Sequence, residues 1–380
     1  MLEQEGMLVA LYTDSSAHSH LGTVSKIFGR LLPESIQRLS RRIVKGVPKQ
    51  KIVSFDYPAL RKMVVRSKGP SVLHVDKQYG DWAAERMIRR GAADATHVYS
   101  MNRSGLEFVK FAKTKGCKSV IDIFISPSTE RVMREESENF PDWGATFKDA
   151  EYELGMELWK KTAETGDLLL CPSEWVAKGI REVSPESSGK IRIVPYGCSI
   201  NYQGRRNSPV PGRVLFAGGD ALRKGLHYLA QAASVLEEDI PNLDIRVAGG
   251  LPPEVLNHPV AKSLNFLGKL TSEQMKEEYL SADMFVLPSL SEGFAGVVAE
   301  AIGAGCPVVV TNESGSPIVH EREGLIVPSA NVDALADAIR MLITDRQLRD
   351  ECSKNCIQQI PFYAEDAWKR RLIDAIHSIG

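Results

Sequence analysis

The sequence predicts an α/β protein with two domains, each built around a parallel β-sheet. Short apolar runs of strand character alternate with helical patterns along the chain, and this alternation indicates parallel sheets covered by helices on both faces. A length of 380 residues suggests two or three domains and is enough for two sizeable cores. The segment from Ser199 to Gly212 is rich in Asn, Gly, Pro and Arg and lacks apolar periodicity, so we interpret it as the linker.

The predicted strands are short apolar runs bounded by turn-forming or polar residues. In the first half they are Leu8–Tyr12, Ile52–Phe55, Ser71–Val75, His97–Ser100, Ser119–Ile125, Leu168–Cys171 and Ile191–Val194. In the second half they are Val214–Ala217, Ile245–Ala248, Asn265–Leu267, Met284–Leu287, Val308–Thr311 and Gly324–Val327. Two Rossmann-like halves with a cleft between them follow from this order of elements.

Composition argues against several function classes. A net charge of −1 and a pI near 6.7 give no reason to expect nucleic-acid binding. No apolar run approaches the ~18 residues that cross a bilayer, and the residues from Met1 to Glu5 do not resemble a signal peptide. We therefore expect a cytoplasmic protein. The cysteines show no metal-ligand spacing.

One stretch, residues 26–51, departs from this neutral charge balance. It carries eight basic residues against a single acid, Glu34, and apolar residues interleave with them at helical spacing. Such a stretch would lie on the anionic inner face of a membrane, as a peripheral contact. Alternatively its apolar face packs on the sheet with the charges in solvent, which is the usual arrangement of amphipathic helices in α/β domains.

The run from Ser291 to Ala301 places Glu292 and Glu300 around a short glycine-containing turn that opens a helix. Before it, the segment from Met284 to Pro288 has the pattern of a buried strand, so the turn lies at the carboxyl end of that strand, where open α/β sheets bind ligands. The N–H groups of the helix start can face an anion or a sugar hydroxyl. A carboxylate accepts hydrogen bonds from two neighbouring hydroxyls, which suits ribose or hexose diols.

An isolated pair of glutamates near a helix start would be an ordinary complement to the helix dipole. Here the helix is followed by the segment Gly303 to Pro307 and the predicted strand Val308–Thr311, which completes a strand, helix, strand unit. This context favours a sugar-nucleotide site over the dipole interpretation.

This unit resembles the donor-binding motif of retaining glycosyltransferases of the GT-B fold, family 4, also called glycosyl transferases group 1. The resemblance extends upstream through Arg213 to Gly225, which is similar to the family's strand, glycine turn and phosphate-binding lysine. Further matching segments are Asp244 to Gly250 and Leu264 to Leu270, with weaker ones at Cys171 to Trp175 and Ile193 to Gly197. The resemblance is strong over residues 213–345 and thin over the first 160.

The resemblance implies two Rossmann-like domains whose parallel sheets face an interdomain cleft. Residues 1–198 would form the acceptor-binding domain, and residues 199–361 the nucleotide-sugar donor domain. The C-terminal helix within residues 362–380 would pack back on the first domain.

Cleavage of a sugar–nucleotide bond releases a diphosphate, whose charge must be stabilised by a divalent metal or by protein cations and amide groups. The chain lacks an obvious Asp-x-Asp metal motif, and Arg223 and Lys224 follow the glycine turn Gly218-Gly219. A lysine binds phosphate as a compact charge and an arginine grips two oxygens together. We therefore predict Lys224, Arg223 and Glu292 as catalytic residues, with neither a metal nor a cofactor.

By resemblance, Glu292 would contact the hydroxyls of the transferred sugar and Glu300 the ribose, with the base near residues 268–270. The predicted donor-binding residues are Gly218, Gly219, Lys224, Gly268, Leu270, Glu292, Gly293, Phe294, Ala295, Gly296, Val297 and Glu300. The sequence departs from the family at Gly219, where many members carry an arginine. Arg223 or the N-terminal domain would then supply the missing cation.

The acceptor side is less defined. Many relatives have a glycine-rich turn after the first strand, where this chain offers only Gly22, and a histidine after a later strand, where it has none. We name Gly22 and Asp122 as acceptor-side candidates, although a structural role for Asp122 is equally open. Glu130, Glu135 and Glu136 have the pattern of a solvated helix face.

We therefore expect an enzyme, a retaining hexosyltransferase. It would move a hexose from a UDP-sugar, or next GDP-mannose, to a glycan, lipid-linked or small-molecule acceptor. A catalytically silent sugar-nucleotide-binding subunit and a sugar-nucleotide epimerase of the same fold stay open as alternatives. A nicotinamide dehydrogenase is disfavoured because no Gly-x-Gly-x-x-Gly follows the first strand.

Overall fold

The computed structural model describes residues 1–13, 42–55, 72–144, 149–198 and 201–380, together with Ser19, Thr23 and Ile27; only the backbone is described for residues 72–77, 149 and 150. Gly22 and most of the basic stretch 26–51 lie outside the described residues. The predictions made for them stay predictions.

The strands are numbered in chain order. They are β1 (Leu11–Thr13), β2 (Ile52–Ser54), β3 (His97–Met101), β4 (Lys118–Asp122), β5 (Leu168–Cys171), β6 (Ile191–Ile193), β7 (Arg213–Ala217), β8 (Asp244–Ala248), β9 (Leu264–Gly268), β10 (Met284–Leu287), β11 (Val308–Thr311) and β12 (Gly324–Val327).

Helices alternate with these strands. They are α1 (Val72–Arg90), α2 (Leu106–Thr114), α3 (Ser128–Asn139), α4 (Asp149–Thr165), α5 (Glu174–Val183), α6 (Leu226–Leu236), α7 (Pro253–Leu256), α8 (Ser272–Ser281), α9 (Gly296–Ala304), α10 (Val332–Thr344), α11 (Arg346–Tyr363) and α12 (Glu365–His377). No helix among the described residues combines the length and the apolar character needed to cross a membrane.

The described residues divide into two compact units. The first comprises Met1–Asp122, Lys161–Leu168 and Ile379–Gly380, and the second comprises Ile123–Lys160 and Leu169–Ser378. Parallel strand pairs occur in both: β1 with β2 and β3 with β4 in the first unit, and β5 with β6 in the second.

A six-stranded parallel sheet forms the centre of the second unit, with strand order β12-β11-β10-β7-β8-β9. Strand β10, one of its two central strands, is fully buried over Met284–Leu287, which explains why the sequence there is apolar without alternation. Helices α6, α9 and α10 supply the apolar side chains that cover the sheet, including Leu229, Ile302 and Ile339.

Four predicted strands, Leu168–Cys171, Met284–Leu287, Val308–Thr311 and Gly324–Val327, match the observed bounds, and most others differ by a few residues at their ends. The predicted strand Ser71–Val75 is wrong, because Val72 to Val75 begin helix α1. A short apolar run cannot be told from the buried part of a helix by periodicity alone.

The C-terminal helix α12 contacts the segment that leads out of strand β6. The Arg371 guanidinium donates to the carbonyl of Pro195 at 3.0 Å, and the rings of Trp368 and Tyr196 meet edge to face at 5.6 Å. Both sides of this contact belong to the second unit. The predicted division of the chain into residues 1–198 and 199–361 stays a prediction.

Candidate donor site

The two predicted motifs lie at the point where the strand order of the six-stranded sheet reverses. Chain order runs outward in one direction through β7, β8 and β9 and in the other through β10, β11 and β12. The glycine turn of residues 218 and 219 follows β7, and the turn holding Glu292 follows β10. Crevices at such a reversal, beyond the carboxyl ends of the strands, are where open α/β sheets bind their ligands.

Two cations meet one carboxylate at this point. The Lys224 ammonium lies 2.6 Å from Glu292 Oε1, and the Arg223 guanidinium lies 2.7 Å from Glu292 Oε2. Arg223 also pairs with Asp220 at 2.9 Å. The side chains of Lys224, Glu292 and Arg223 are only 13%, 12% and 18% exposed, so their charges are screened less than those of surface pairs. We call Asp220, Arg223, Lys224 and Glu292 the ion group.

Electrostatics favour the charged form of the arginine. Burial by itself lowers the pKa of the Arg223 guanidinium, but the carboxylates of Glu292 and Asp220 outweigh it and raise that pKa above its ordinary value. The guanidinium is therefore positively charged at neutral pH.

Gly218 leaves room for the lysine. A Cβ at this position would lie 2.1 Å from Cδ of Lys224 and 2.8 Å from its Cε. The lysine stem therefore passes directly over the glycine turn, and the absence of a side chain at Gly218 permits that path.

The turn around Gly293 packs closely against the backbone of Phe124. A Cβ on Gly293 would lie 1.7 Å from the carbonyl oxygen of Phe124, so only glycine fits against this backbone. The Ser173 hydroxyl donates to the Gly293 carbonyl at 2.7 Å, and the Glu292 N–H donates to the Glu313 carbonyl at 2.7 Å. The backbone on both sides of the Glu292 side chain is therefore fixed.

Glu300 lies on the second turn of helix α9, where its side chain is half-buried. The hydroxyl of Tyr279 donates to Glu300 Oε2 at 3.0 Å, and the Tyr202 hydroxyl donates to the Glu300 carbonyl at 2.8 Å. Burial, and then the negative charge of Glu300, raises the pKa of Tyr279, so this phenol stays protonated and remains a hydrogen-bond donor.

The other predicted donor-binding residues surround the same sheet edge. Ala295 caps helix α9, whose first turn begins at Gly296 and Val297, and the Phe294 ring meets Tyr196 edge to face at 5.8 Å. Gly218, which follows β7, and Gly268, the last residue of β9, lie on either side of the end of β8, since the Gly218 N–H donates to the Ala248 carbonyl and the Gly249 N–H to the Gly268 carbonyl, both at 2.8 Å. Gly219 and Gly268 are exposed, and Leu270 is half-buried against the core.

The acceptor-side candidate Asp122 lies at the end of strand β4 and is buried. Its carboxylate accepts a hydrogen bond from the Tyr99 hydroxyl at 2.5 Å. Burial, followed by the charge of Asp122, raises the pKa of Tyr99. The structure thus gives Asp122 a neighbour within the first unit, and its role toward an acceptor stays a prediction.

One buried cluster escaped the sequence analysis. Glu136 was expected on a solvated helix face, but it is buried, and this expectation is wrong. Its carboxylate lies 3.0 Å from Nε2 of the fully buried His227 and accepts from the Tyr228 hydroxyl at 3.0 Å. The rings of Phe140 and Trp143 pack on His227. Helix α3 carries side chains of both charges, and this pattern does not indicate which charged side chain faces the protein interior.

A groove of about 390 Å³ lies away from these motifs, among α3, α4 and α5. Charged and apolar side chains such as Arg131, Tyr152 and Lys160 line it, and none of the predicted site residues does. Because the Ser128 hydroxyl donates to Glu182 across it at 3.1 Å, we interpret the groove as a crevice between packed helices. Among the residues the structure describes, no group of three or more His, Cys, Asp or Glu side chains could hold a metal ion.

With this geometry established, comparison with known proteins identifies the C-terminal part of the chain. Residues 206–359 match the protein family described as glycosyl transferases group 1. These residues form a glycosyl transferases group 1 domain. The match contains the whole ion group, the Gly293 turn and Glu300, and it confirms the family resemblance predicted from the sequence.

Curated relatives include glycosyltransferases that match part of the chain. A D-inositol 3-phosphate glycosyltransferase of Corynebacterium urealyticum is 25% identical over 248 residues, 58% of this chain and 58% of that protein. A GDP-mannose-dependent alpha-(1-6)-phosphatidylinositol monomannoside mannosyltransferase of Mycobacterium tuberculosis is 30% identical over 139 residues, 33% of this chain and 36% of that protein. The chain thus spans little more than half the length of the first relative and about a third of the second.

Solved structures resemble more of the chain. Sucrose-phosphate synthase of Thermosynechococcus elongatus superimposes with a TM-score of 0.62 at 19% identity, covering 80% of this chain and 78% of that one. HepE of Anabaena in complex with UDP gives 0.60 at 15% identity, covering 78% and 82%. These likenesses confirm the predicted GT-B fold, with two Rossmann-like α/β domains that contain parallel sheets.

Proposed function

We propose that this protein is a glycosyltransferase that moves a hexose from a nucleotide-sugar to a glycan, lipid-linked or small-molecule acceptor. The observation that carries the proposal is the ion group at the strand-order reversal of a glycosyl transferases group 1 domain. A pair of cations at the carboxyl edge of a parallel sheet, beside the first turn of a helix, suits a diphosphate.

The ion group supplies the means to stabilise the leaving diphosphate. In the reaction, the bond between the sugar C1 and the diphosphate oxygen breaks, and the acceptor hydroxyl oxygen bonds to C1. The diphosphate oxygen gains the negative charge and takes up the acceptor proton. Lys224 and Arg223 would leave Glu292 in part to meet that charge, with the amides at the start of helix α9 beside them.

Glu292 would then be free to accept hydrogen bonds from the sugar hydroxyls, and Glu300 from the ribose. We propose that transfer proceeds with retention at C1, as the family resemblance implies. We also propose that it needs no divalent metal, because Lys224 and Arg223 would stabilise the charge of the leaving diphosphate. Activity that survives EDTA would support the second point, and the anomer of the product, read by NMR, would decide the first.

A UDP-sugar is our preferred donor, with GDP-mannose next. HepE, a structure of similar fold, binds UDP, while one matching relative is named as GDP-mannose-dependent. The experiment is a thermal-shift screen of the protein with UDP, GDP, ADP and their sugar conjugates, because a ligand that binds only the folded state raises its melting temperature.

The screen includes Glu300→Ala, Glu300→Gln and a matched control, Glu237→Ala, which removes an exposed glutamate. Glutamine keeps an acceptor for the buried Tyr279 hydroxyl, so it separates loss of the carboxylate from loss of packing. We expect a shift with one nucleotide family that Glu300→Ala abolishes and Glu237→Ala retains. No shift with any nucleotide would contradict the proposal.

A catalytically silent nucleotide-sugar binder is the second candidate, and the departure at Gly219 favours it, because one expected cation is missing from the turn. Release of free sugar from the bound nucleotide-sugar distinguishes the two. A silent binder would show the same thermal shift and release no sugar.

A further inference from the structure

Ser291, the residue before Glu292, is held by two side chains that are distant in sequence. The indole N–H of Trp175 donates to Ser291 Oγ at 3.0 Å, and the hydroxyls of Thr129 and Ser291 lie 2.7 Å apart. We call Thr129, Trp175 and Ser291 the serine bracket. Ser291 is fully buried, whereas Thr129 and Trp175 are half-buried.

The two hydrogen bonds are compatible with each other. An indole N–H can only donate, so the Ser291 oxygen accepts from it. The remaining hydrogen bond joins two hydroxyls, and either can be the donor. Both bonds can therefore form together and fix the Ser291 side chain in one orientation.

Rigid elements carry both partners. Thr129 is the second residue of helix α3 and Trp175 the second residue of helix α5, whose N-cap is the Ser173 that also binds the Gly293 carbonyl. The Ser291 carbonyl in turn accepts from the Arg223 guanidinium at 3.0 Å. Glu292 thus stands between two residues whose positions are set by the starts of two helices.

We propose that Thr129, Trp175 and Ser291 are positioning residues that orient Glu292 toward the sugar of the nucleotide-sugar, and so determine how much the sugar adds to binding. This inference rests on the proposed function. Among the described residues, no hydrogen bond joins the bracket to Lys224 or to the side-chain carboxylate of Glu292, and its contact with Arg223 runs through the Ser291 backbone carbonyl, which substitution of Thr129 or Trp175 leaves in place. Loss of the bracket should therefore spare the binding of a bare nucleotide diphosphate.

The matched pair Thr129→Val and Thr129→Ser tests this. Valine has the shape of threonine without the hydroxyl, and serine keeps the hydroxyl. Calorimetric titrations with UDP, UDP-glucose, GDP and GDP-mannose would measure each Kd. We expect Thr129→Val to bind the bare nucleotide within about twofold of wild type and its sugar conjugate roughly 10-fold more weakly, the scale of one lost hydrogen bond. Thr129→Ser should restore the wild-type difference.

Trp175→Phe supplies a second test, because it removes the indole N–H and keeps an aromatic ring. Trp175→Phe should weaken binding of the sugar conjugate and spare binding of the bare nucleotide. In the wild type, the fluorescence of the Trp175 indole should change when the sugar conjugate binds, and Trp175→Phe should lack this signal. If Trp175→Phe fails to fold, the Thr129 pair decides alone, with circular dichroism and Tm as controls for its fold.

The outcomes are distinct. A wild-type protein that binds none of the four ligands overturns the proposed function and this inference with it. A wild type that binds, with Thr129→Val unchanged toward both ligands of a pair, overturns the inference alone. Equal weakening of nucleotide and conjugate would mean that the bracket only supports the fold, which also overturns it.

Discussion

Replacement of Lys224 by alanine is the most direct test of the ion group. The Lys224 ammonium lies 2.6 Å from Glu292 and its stem fits over the bare Gly218. The variant removes one of two cations and leaves Arg223 on the same carboxylate. The Glu292 charge therefore keeps a partner, and we expect the variant to fold.

The expected loss of rate follows from the position of the charge. An ammonium about 4 Å from a developing phosphate charge contributes ~4 kcal/mol at an effective dielectric constant near 20, which suits side chains this little exposed. Glu292 cancels part of that contribution unless it moves away. We therefore expect Lys224→Ala to lower the rate of donor cleavage by about 10²- to 10³-fold, the cost of one preorganised charge-stabilising group.

The assay is release of free sugar from the nucleotide-sugar that binds in the thermal-shift screen, measured at saturating donor so that the rate is separated from affinity. Lys276→Ala is the matched control, because Lys276 makes a surface ion pair with Glu273 one helical turn away. Gly218→Ala is the complementary variant. This variant keeps the lysine but displaces its side-chain stem, so it should slow donor cleavage and change Tm less than Lys224→Ala does.

A Lys224→Ala protein that cleaves donor within threefold of the wild-type rate would refute this reasoning. So would an equal loss in Lys276→Ala, because a remote surface charge would then matter as much as the ion group. A parallel fall in Tm of many degrees would show that the lysine serves the fold instead.

Three other variants probe the charges. Glu292→Gln frees the two cations, so it should bind bare UDP on the order of 10-fold tighter while cleaving donor more slowly, as measured by titration and sugar release. Glu136→Ala removes the acceptor of the buried His227 and should lower the free energy of unfolding by about 2–4 kcal/mol in urea. Burial raises the pKa of Asp167, but hydrogen bonds, first that from Lys113, outweigh it and lower that pKa. Asp167 therefore stabilises the protein above pH ~4 and less as pH falls, and Asp167→Asn should flatten that acid decline.

Each of the three has a control and a contradicting result. High salt should abolish the tighter UDP binding of Glu292→Gln. An unchanged Kd for UDP at low salt would contradict the idea that the Glu292 carboxylate competes with UDP for the two cations. Glu135→Ala, at the exposed neighbour, should cost under ~0.5 kcal/mol, and a similar value for Glu136→Ala would contradict its buried role. For Asp167, an identical decline of stability between pH 5 and 2 in Asp167→Asn and wild type would contradict the prediction.

The sequence predicted those parts of the donor site that are local in the chain. Strand β10 is a run of four apolar residues, and the turn and helix that carry Glu292 and Glu300 follow it directly. The position of Lys224 beside Glu292 needed one more step, the pairing of β7 with β10, because 68 residues separate the two side chains. Family resemblance supplied that step.

The serine bracket could not be predicted in this way. Thr129 and Ser291 are 162 residues apart, and threonine and serine at such positions are ordinary capping or surface residues. The expectation for Glu136 was wrong for a related reason, since the four glutamates of helix α3 give no sign of which one meets a histidine 91 positions away. Side-chain networks of this kind depend on tertiary packing, which hydrophobic periodicity does not report.

Packing around Gly219 does not require a glycine. A Cβ at Gly219 would meet only the carbonyl of Gly250, at an ordinary 3.5 Å, and the residue is exposed with no unusual backbone dihedral, so the fold does not require glycine there. A side chain can therefore begin at this position without a clash at its Cβ. If Arg223 has replaced the family's missing cation, Arg223→Ala should weaken UDP binding and Gly219→Arg should restore it in the double variant, measured by titration at low salt. Failure of the restoration would mean that Arg223 serves chiefly to hold Glu292 and the Ser291 carbonyl.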